Sequence, residues 1–114
     1  MEDCIFCKIV NRTIPTPLIY EDEEVVAFND INPVAPVHIL IIPRQHIQSV
    51  AHSAEEDEKT LGRLFVVARK IAQEQGLTEK GFRLVVNTGT DGGQTVFHLH
   101  MHLLAGRSME WPPG

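Results

Sequence analysis

Residues 96–104 read VFHLHMHLL, and this alternation limits more than any other feature how the chain can fold. Successive side chains of a β-strand point to opposite faces. Phe97, Leu99, Met101 and Leu103 therefore share one side, and Val96, His98, His100, His102 and Leu104 the other. The apolar set needs a core to pack against. The opposite set then lines up three imidazoles about 7 Å apart, two strand rises from one to the next. The spacing predicts a strand over 96–104, with Phe97 on the core face and the histidines aimed by the anchored strand. A lone histidine at a half-buried strand position is ordinary. Three in alternation point to metal binding or to catalysis at phosphorus or carbonyl centres.

The rest of the chain supplies what such a strand requires. PTPLIY (15–20) enters a first strand whose prolines keep it short or at an edge. EVVAFND (24–30), HILII (38–42, stopped by Pro43) and GFRLVVN (81–87) read as further strands. Ser53 with Glu56 has the form of a capping box. Behind it Leu61, Leu64, Phe65, Ala68, Ile71 and Ala72 recur at helical spacing until Gly76, predicting a helix over 54–75 of roughly 30 Å. Three strands, one long helix and two strands, joined largely by short turns, predict an α+β fold. It has two layers, a mostly antiparallel sheet of about five strands covered on one face by the helix. The second face is expected to stay available for a ligand.

With 114 residues the chain has room for one core, and a single domain over 1–114 is expected. A net charge of −5 argues against a protein that wraps a nucleic-acid backbone. It leaves room for a single nucleotide held by local backbone dipoles. The acidic start MEDCIFCKIV lacks the basic and long apolar regions of a signal peptide, and Ile39 to Ile42 is the longest purely apolar run, so no membrane association and a cytoplasmic location are expected. Cys4 and Cys7 are the only cysteines, which makes reduced thiols or metal ligands better readings than a disulfide framework.

The loop TGTDGGQT (88–95) brings three glycines and small hydroxyl residues to the start of the histidine strand. Glycine lets backbone N–H groups approach an oxyanion closely, although DG and GG also serve ordinary hairpin turns. Beside a histidine row the loop favours a phosphate. Histidine can act there as a nucleophile once a hydrogen bond orients it, or as a general acid.

HLHMHLL, together with CIFCKIV, AFNDINPVAPVHILIIPRQHI, VVNTGTDGGQTVFHLHMHLL and the terminal WPPG, resembles the histidine triad (HIT) superfamily of nucleotide hydrolases and transferases, in its histidine triad nucleotide-binding branch. The resemblance covers nearly the whole chain. It implies that His100 is a nucleophile forming a nucleotidyl-histidine intermediate, that His102 stabilises the phosphate, and that His98 and His38 form a supporting relay. It places Asn87, Gly93, Gln94 and Thr95 at the phosphate and leaving group, and Asp30 and Ile31 at the ribose and base. Thr95 stands where many relatives carry serine, and Phe97 where tyrosine is common. The activity implied is hydrolysis of the P–N bond of purine nucleoside 5′-phosphoramidates, which requires no metal. The alternatives are a dinucleoside polyphosphate hydrolase, and a nucleotide-binding scaffold with little turnover.

Two further expectations follow from the resemblance. Such proteins are homodimers, with the helix and GFRLVVN near the two-fold axis and Trp111 reaching the other subunit's site. Cys4-x-x-Cys7 has the spacing of half a tetrahedral zinc site. Several relatives complete such a site with histidines that correspond here to His46 and His98, where zinc would be structural.

Overall fold

A computed structural model describes residues 3–114. The elements run α1 (Ile5–Val10), β1 (Tyr20–Glu21), β2 (Val25–Asn29), β3 (Val37–Pro43), α2 (Glu58–Glu74), β4 (Arg83–Val86) and β5 (Met101–Ala105). The strands form one sheet in the order β1-β2-β3-β5-β4, and every neighbouring pair is antiparallel. This is the α+β, two-layer arrangement that the pattern of strands around one long helix predicts.

The β1–β2 turn is tied by Asp22, whose Oδ1 accepts from the amides of Glu24 and Val25 at 2.7 and 2.9 Å. Burial works to raise its carboxyl, but those two amides, with Tyr20 and Arg63, hold it well below the usual carboxylate range. Arg63 reaches across from α2 to Asp22 Oδ2 at 2.8 Å, so the hairpin and the helix share one anion.

The start of α2 differs from the capping box expected of Ser53. The Ser53 hydroxyl donates to the Val50 carbonyl at 2.7 Å. The Asp57 carboxylate instead accepts from the Ala54 amide at 2.9 Å, at the end of a 3₁₀ turn over Glu55–Asp57. The helix stops where Gly76 takes a φ of +69°. Gly76 donates to Gln73 O and Leu77 to Ala72 O at 2.8 Å, the paired bonds of a Schellman terminus. Leu64, Val67, Ala68 and Ile71 turn inward onto Val25, Ala27, Ile39, Ile41, Met101 and Leu103. Phe65, expected in the core stripe, is 58% exposed, because the stripe follows Leu64–Val67–Ile71 instead.

The second face of the sheet is covered in part and open over the rest. The short helix α1, which the sequence does not announce, lays Phe6 and Ile9 over Val26, Phe28, Leu40 and Ile42. Cys4 caps α1, its sulfur accepting from the Cys7 amide at 3.3 Å. Six residues are too few for a helical period to stand out from noise.

The histidine strand is also shorter than expected. Only Met101–Ala105 belong to the sheet. Ahead of it the backbone departs, and the Leu99 amide donates to Ile47 O at 2.7 Å. The alternation survives in burial from Leu99 through Met101 to Leu103, all 1% exposed or less. It fails at Phe97, which is 52% exposed rather than on the core face.

Candidate active site

The three histidines of the triad end up in two different settings. His98 is fully buried and donates from Nε2 to the Pro43 carbonyl at 2.8 Å. That bond places its lone pair on Nδ1, which lies 3.3 Å from Cys4 Sγ and 3.6 Å from Cys7 Sγ. His46 Nδ1 approaches Cys7 Sγ to 3.3 Å. The four ligand atoms of Cys4, Cys7, His46 and His98 lie within 4.8 Å of one another. Two sulfurs and two imidazole nitrogens converging in this way are a donor set suited to tetrahedral zinc. Burial, with Cys4 alongside, pushes the Cys7 thiol up to about 11, so that thiol stays protonated until a cation replaces its proton.

His100, immediately ahead of β5, donates from Nδ1 to the His98 carbonyl at 2.8 Å. Its Nε2 therefore carries the free lone pair. The ring is steadied edge-on by Phe6, centroid to centroid 5.1 Å. Burial pulls its pKa below the usual imidazole value, which keeps the ring neutral and nucleophilic.

His102, on β5, points to the same face. Its partner is His38 of β3, and the bond between His38 Nε2 and His102 Nδ1 is 2.9 Å. The direction of this bond is set from outside the pair. The Val34 amide donates to His38 Nδ1 at 3.1 Å, so the His38 proton sits on Nε2 and is donated to His102 Nδ1. The neutral His102 ring then carries its own proton on Nε2. That nitrogen is buried without a hydrogen-bond partner among the described residues. A buried donor left open costs free energy unless a ligand takes it. Burial, then the neighbouring His100 and His38 rings, depress the His102 pKa to about 4, so the ring stays neutral.

Asp30 completes the row. Its Oδ1 accepts from the Asn32 amide at 2.8 Å, and Oδ2 lies 3.4 Å from His38 Nε2. Asp30, His38 and His102 are close enough together to hold a cation. Their proton positions oppose it, because a metal at His38 Nε2 would require the proton that Val34 excludes from Nδ1.

A cleft of about 510 Å³ opens over these groups and is lined by His38, His100, His102, Asp30, Ile31 and Thr95 among others. Ile31 is 91% exposed at its rim. Other residues named from the sequence do not line it. Asn87 sits in a separate depression with Arg107 and the C-terminal tail. Gly93 supports a turn with a φ of +83°. Gln94 is buried, with its amide spent on the scaffold: Oε1 accepts from Gly89 N, and Nε2 donates to Gln48 O and Val96 O. Gly92 is needed for the same turn, since a Cβ there would collide with the Thr88 backbone. Trp111 is 81% exposed, outside the cleft of its own chain. The His98 ring takes no part in the His38–His102 bond; only its carbonyl serves the neighbouring histidine.

Sequence reasoning missed Phe6, Val34 and Pro43, all of which orient the imidazoles. Two act through backbone groups, which leave no residue-type signal. Phe6 could have been found from its place between two cysteines that must turn toward one point.

The comparisons with known proteins agree with this fold. The family model described as the HIT domain matches residues 11–109. An uncharacterised HIT-like protein of Synechococcus elongatus is 53% identical over 113 residues, covering 99% of this chain and 98% of the relative. The crystal structure of a HIT family hydrolase from Legionella pneumophila matches with a TM-score of 0.95 at 47% identity, covering 98% of this chain and all of the other. A histidine triad nucleotide-binding protein from Candida albicans matches at a TM-score of 0.83 and 30% identity, covering 96% and 83% of the two chains.

Proposed function

The chain belongs to the HIT family, and on that premise we propose that it hydrolyses purine nucleoside 5′-phosphoramidates through a nucleotidyl-histidine intermediate. The observation that carries this reading is the pair of fixed tautomers in the cleft. His100 Nε2 presents a lone pair, and His102 Nε2 presents a proton that has no partner among the described residues.

In the proposed reaction His100 Nε2 attacks phosphorus in line, and the P–N bond breaks as the departing nitrogen takes up a proton from solvent and leaves as the amine. His102 Nε2–H donates to a phosphoryl oxygen as charge gathers there. Water then cleaves the bond from phosphorus to His100 and regenerates the free imidazole. Asp30 accepts from the ribose hydroxyls, Ile31 lies against the base, and Thr95 lies beside the departing group. Steady-state turnover of an adenosine 5′-phosphoramidate, set against diadenosine tetraphosphate, tests the substrate class. Faster hydrolysis of the tetraphosphate would overturn it. Intact-protein mass after rapid mixing tests the intermediate, which the wild type should form and His100→Ala should not.

A structural zinc on Cys4, Cys7, His46 and His98 forms part of the proposal. When bound it would supply a cross-link from α1 to the chain ahead of β5, and the chemistry would remain with His100 and His102. Metal analysis should find one zinc per chain and none in Cys7→Ser. A homodimer is proposed as well, because β4 is an edge strand with half-buried side chains and Phe65 and Trp111 are exposed. Trp111 would then approach the cleft of the other subunit. Sedimentation at micromolar concentration should show a dimer, and a monomer would remove this part.

A further inference from the structure

We infer that Arg107 is a positioning residue for the phosphate donor: by clamping the Val34 carbonyl it sets which way the proton runs between His38 and His102. The inference rests on the proposed nucleotide reading and goes beyond it. Two neutral imidazoles can share a hydrogen bond in either direction. With the His38 proton on Nε2, His102 accepts at Nδ1 and keeps its own proton on Nε2. With the His38 proton on Nδ1, the pair reverses: His102 donates from Nδ1 and turns a bare lone pair toward the phosphate. The 2.9 Å separation of the two rings suits both states. The Val34 amide, 3.1 Å from His38 Nδ1, decides between them, because it opposes a second donor at that nitrogen. The Asp30 carboxylate, 3.4 Å from His38 Nε2, favours the same state through its charge, so removing the amide's hold should leave a mixture of the two.

Val34 must be kept in place for this, and neither packing nor a ladder keeps it there. Residues 31–36 lie between β2 and β3 in neither helix nor strand, Val34 is 61% exposed, and Pro33 and Pro36 have no amide to donate. The hold comes from beyond β5. Arg107 donates to the Val34 carbonyl from Nη2 at 3.0 Å and from Nε at 3.3 Å, and its Nη1 donates to Ser108 O at 3.1 Å. Gly106 brings the arginine there. It has a φ of +94°, and a Cβ on it would lie 2.7 Å from the Pro36 side chain, so the turn after β5 runs directly against the segment. The carbonyl and amide of Val34 flank one Cα, and a charged clamp on the first limits how far the second can swing. The cleft end of the segment is tied separately, by Asp30 N to His38 O at 3.0 Å and Asn32 N to Asp30 Oδ1 at 2.8 Å. Arg107 therefore bears on the donor's proton and not on the sugar contact.

Arg107→Ala should lower kcat for an adenosine 5′-phosphoramidate about two- to fivefold, in proportion to the molecules that keep the donor direction. Adenosine affinity, melting temperature and sedimentation should match the wild type, since Arg107 is exposed and does not line the cleft. Arg107→Lys should recover most of the rate, because one ammonium donor suffices for one carbonyl oxygen. A kcat loss matched by weaker adenosine binding or altered sedimentation is a general loss of structure and would overturn the inference. A lysine variant no faster than the alanine variant would overturn it as well.

The proton direction itself is read without turnover, by long-range ¹H–¹⁵N correlation on protein with ¹⁵N-labelled histidine at about pH 8, above the ordinary imidazole range. In the free wild type, His38 and His102 should both carry the proton on Nε2. In Arg107→Ala both should move toward Nδ1 protonation by the fraction that kcat falls, with His100 unchanged, and Arg107→Lys should restore the wild-type pattern. A wild type with His38 protonated on Nδ1, or an Arg107→Ala spectrum identical to the wild type's, would refute the coupling. Failure of the nucleotide reading would look different: no phosphoramidate turnover by the wild type, with the tautomer change in Arg107→Ala intact.

Discussion

On one face of the sheet, Val25, Ala27, Ile39, Ile41, Met101 and Leu103 pack against Leu64, Val67 and Ile71 of α2. On the other, Val26, Phe28, Leu40 and Ile42 share the surface with the histidines, and α1 covers only part of it. Both faces come from the same strands at alternate positions. The helix face is held by area and volume, which have no direction. The histidine face is held by directions: each imidazole has one nitrogen committed to a particular partner, and the commitment fixes what the other nitrogen can do. The first face should therefore answer substitutions in stability, and the second in rate.

The largest expected effect lies on the histidine face. His100→Ala should cut phosphoramidate turnover by about four orders of magnitude or more, as loss of a nucleophile does, while nucleotide binding by calorimetry and the melting temperature hold. Substantial remaining turnover would end the division of labour between the faces. Next comes the helix face, where Leu64→Ala leaves a cavity among residues with almost no exposure. It should cost about 2–5 kcal/mol in denaturant unfolding with kcat unchanged at temperatures where the protein stays folded.

Removing the relay should be milder than removing the nucleophile. His38→Ala frees His102 Nδ1 and should slow turnover by about a hundredfold, seen in kcat rather than KM. Protonation sharpens the same contrast. His102 and His100 are both depressed by burial, His102 to about 4, so a protein active at pH 7 should keep its rate below the ordinary imidazole range and lose it as these rings protonate. Stability has a matching sign. The unfolded chain takes up protons first, near an imidazole pKa of about 6.5, so the folded state loses stability as pH falls from there toward about 4. A kcat profile with its acid limb near 6.5 would contradict the burial of these rings. The smallest effect belongs to Phe97→Tyr: the ring is half exposed and outside the helix-face cluster, and the change should stay within about 0.5 kcal/mol.

The period-two stretch around His100 and His102, the β-rich runs and the apolar repeat from Leu61 to Ala72 made the architecture legible, because a periodic pattern reports which side of an element faces the core. Its edges were less legible. Phe97 continues the alternation in letters but not in space, since the Leu99 amide leaves the sheet for Ile47. Ser53 has the right spacing for a cap, yet Asp57 takes the role.

The sequence by itself determined that imidazoles would stand together on one face of an antiparallel sheet, and that two thiols would lie three residues apart in the chain. Tertiary structure alone decided that His98 turns its lone pair to Cys4 and Cys7, that His100 offers Nε2, and that His102 is left with an open proton. Those outcomes depend on the Pro43 and His98 carbonyls and the Val34 amide. Every residue carries such backbone groups, so no choice of amino acid marks them, and only the folded chain brings a given carbonyl or amide within reach of a given ring nitrogen.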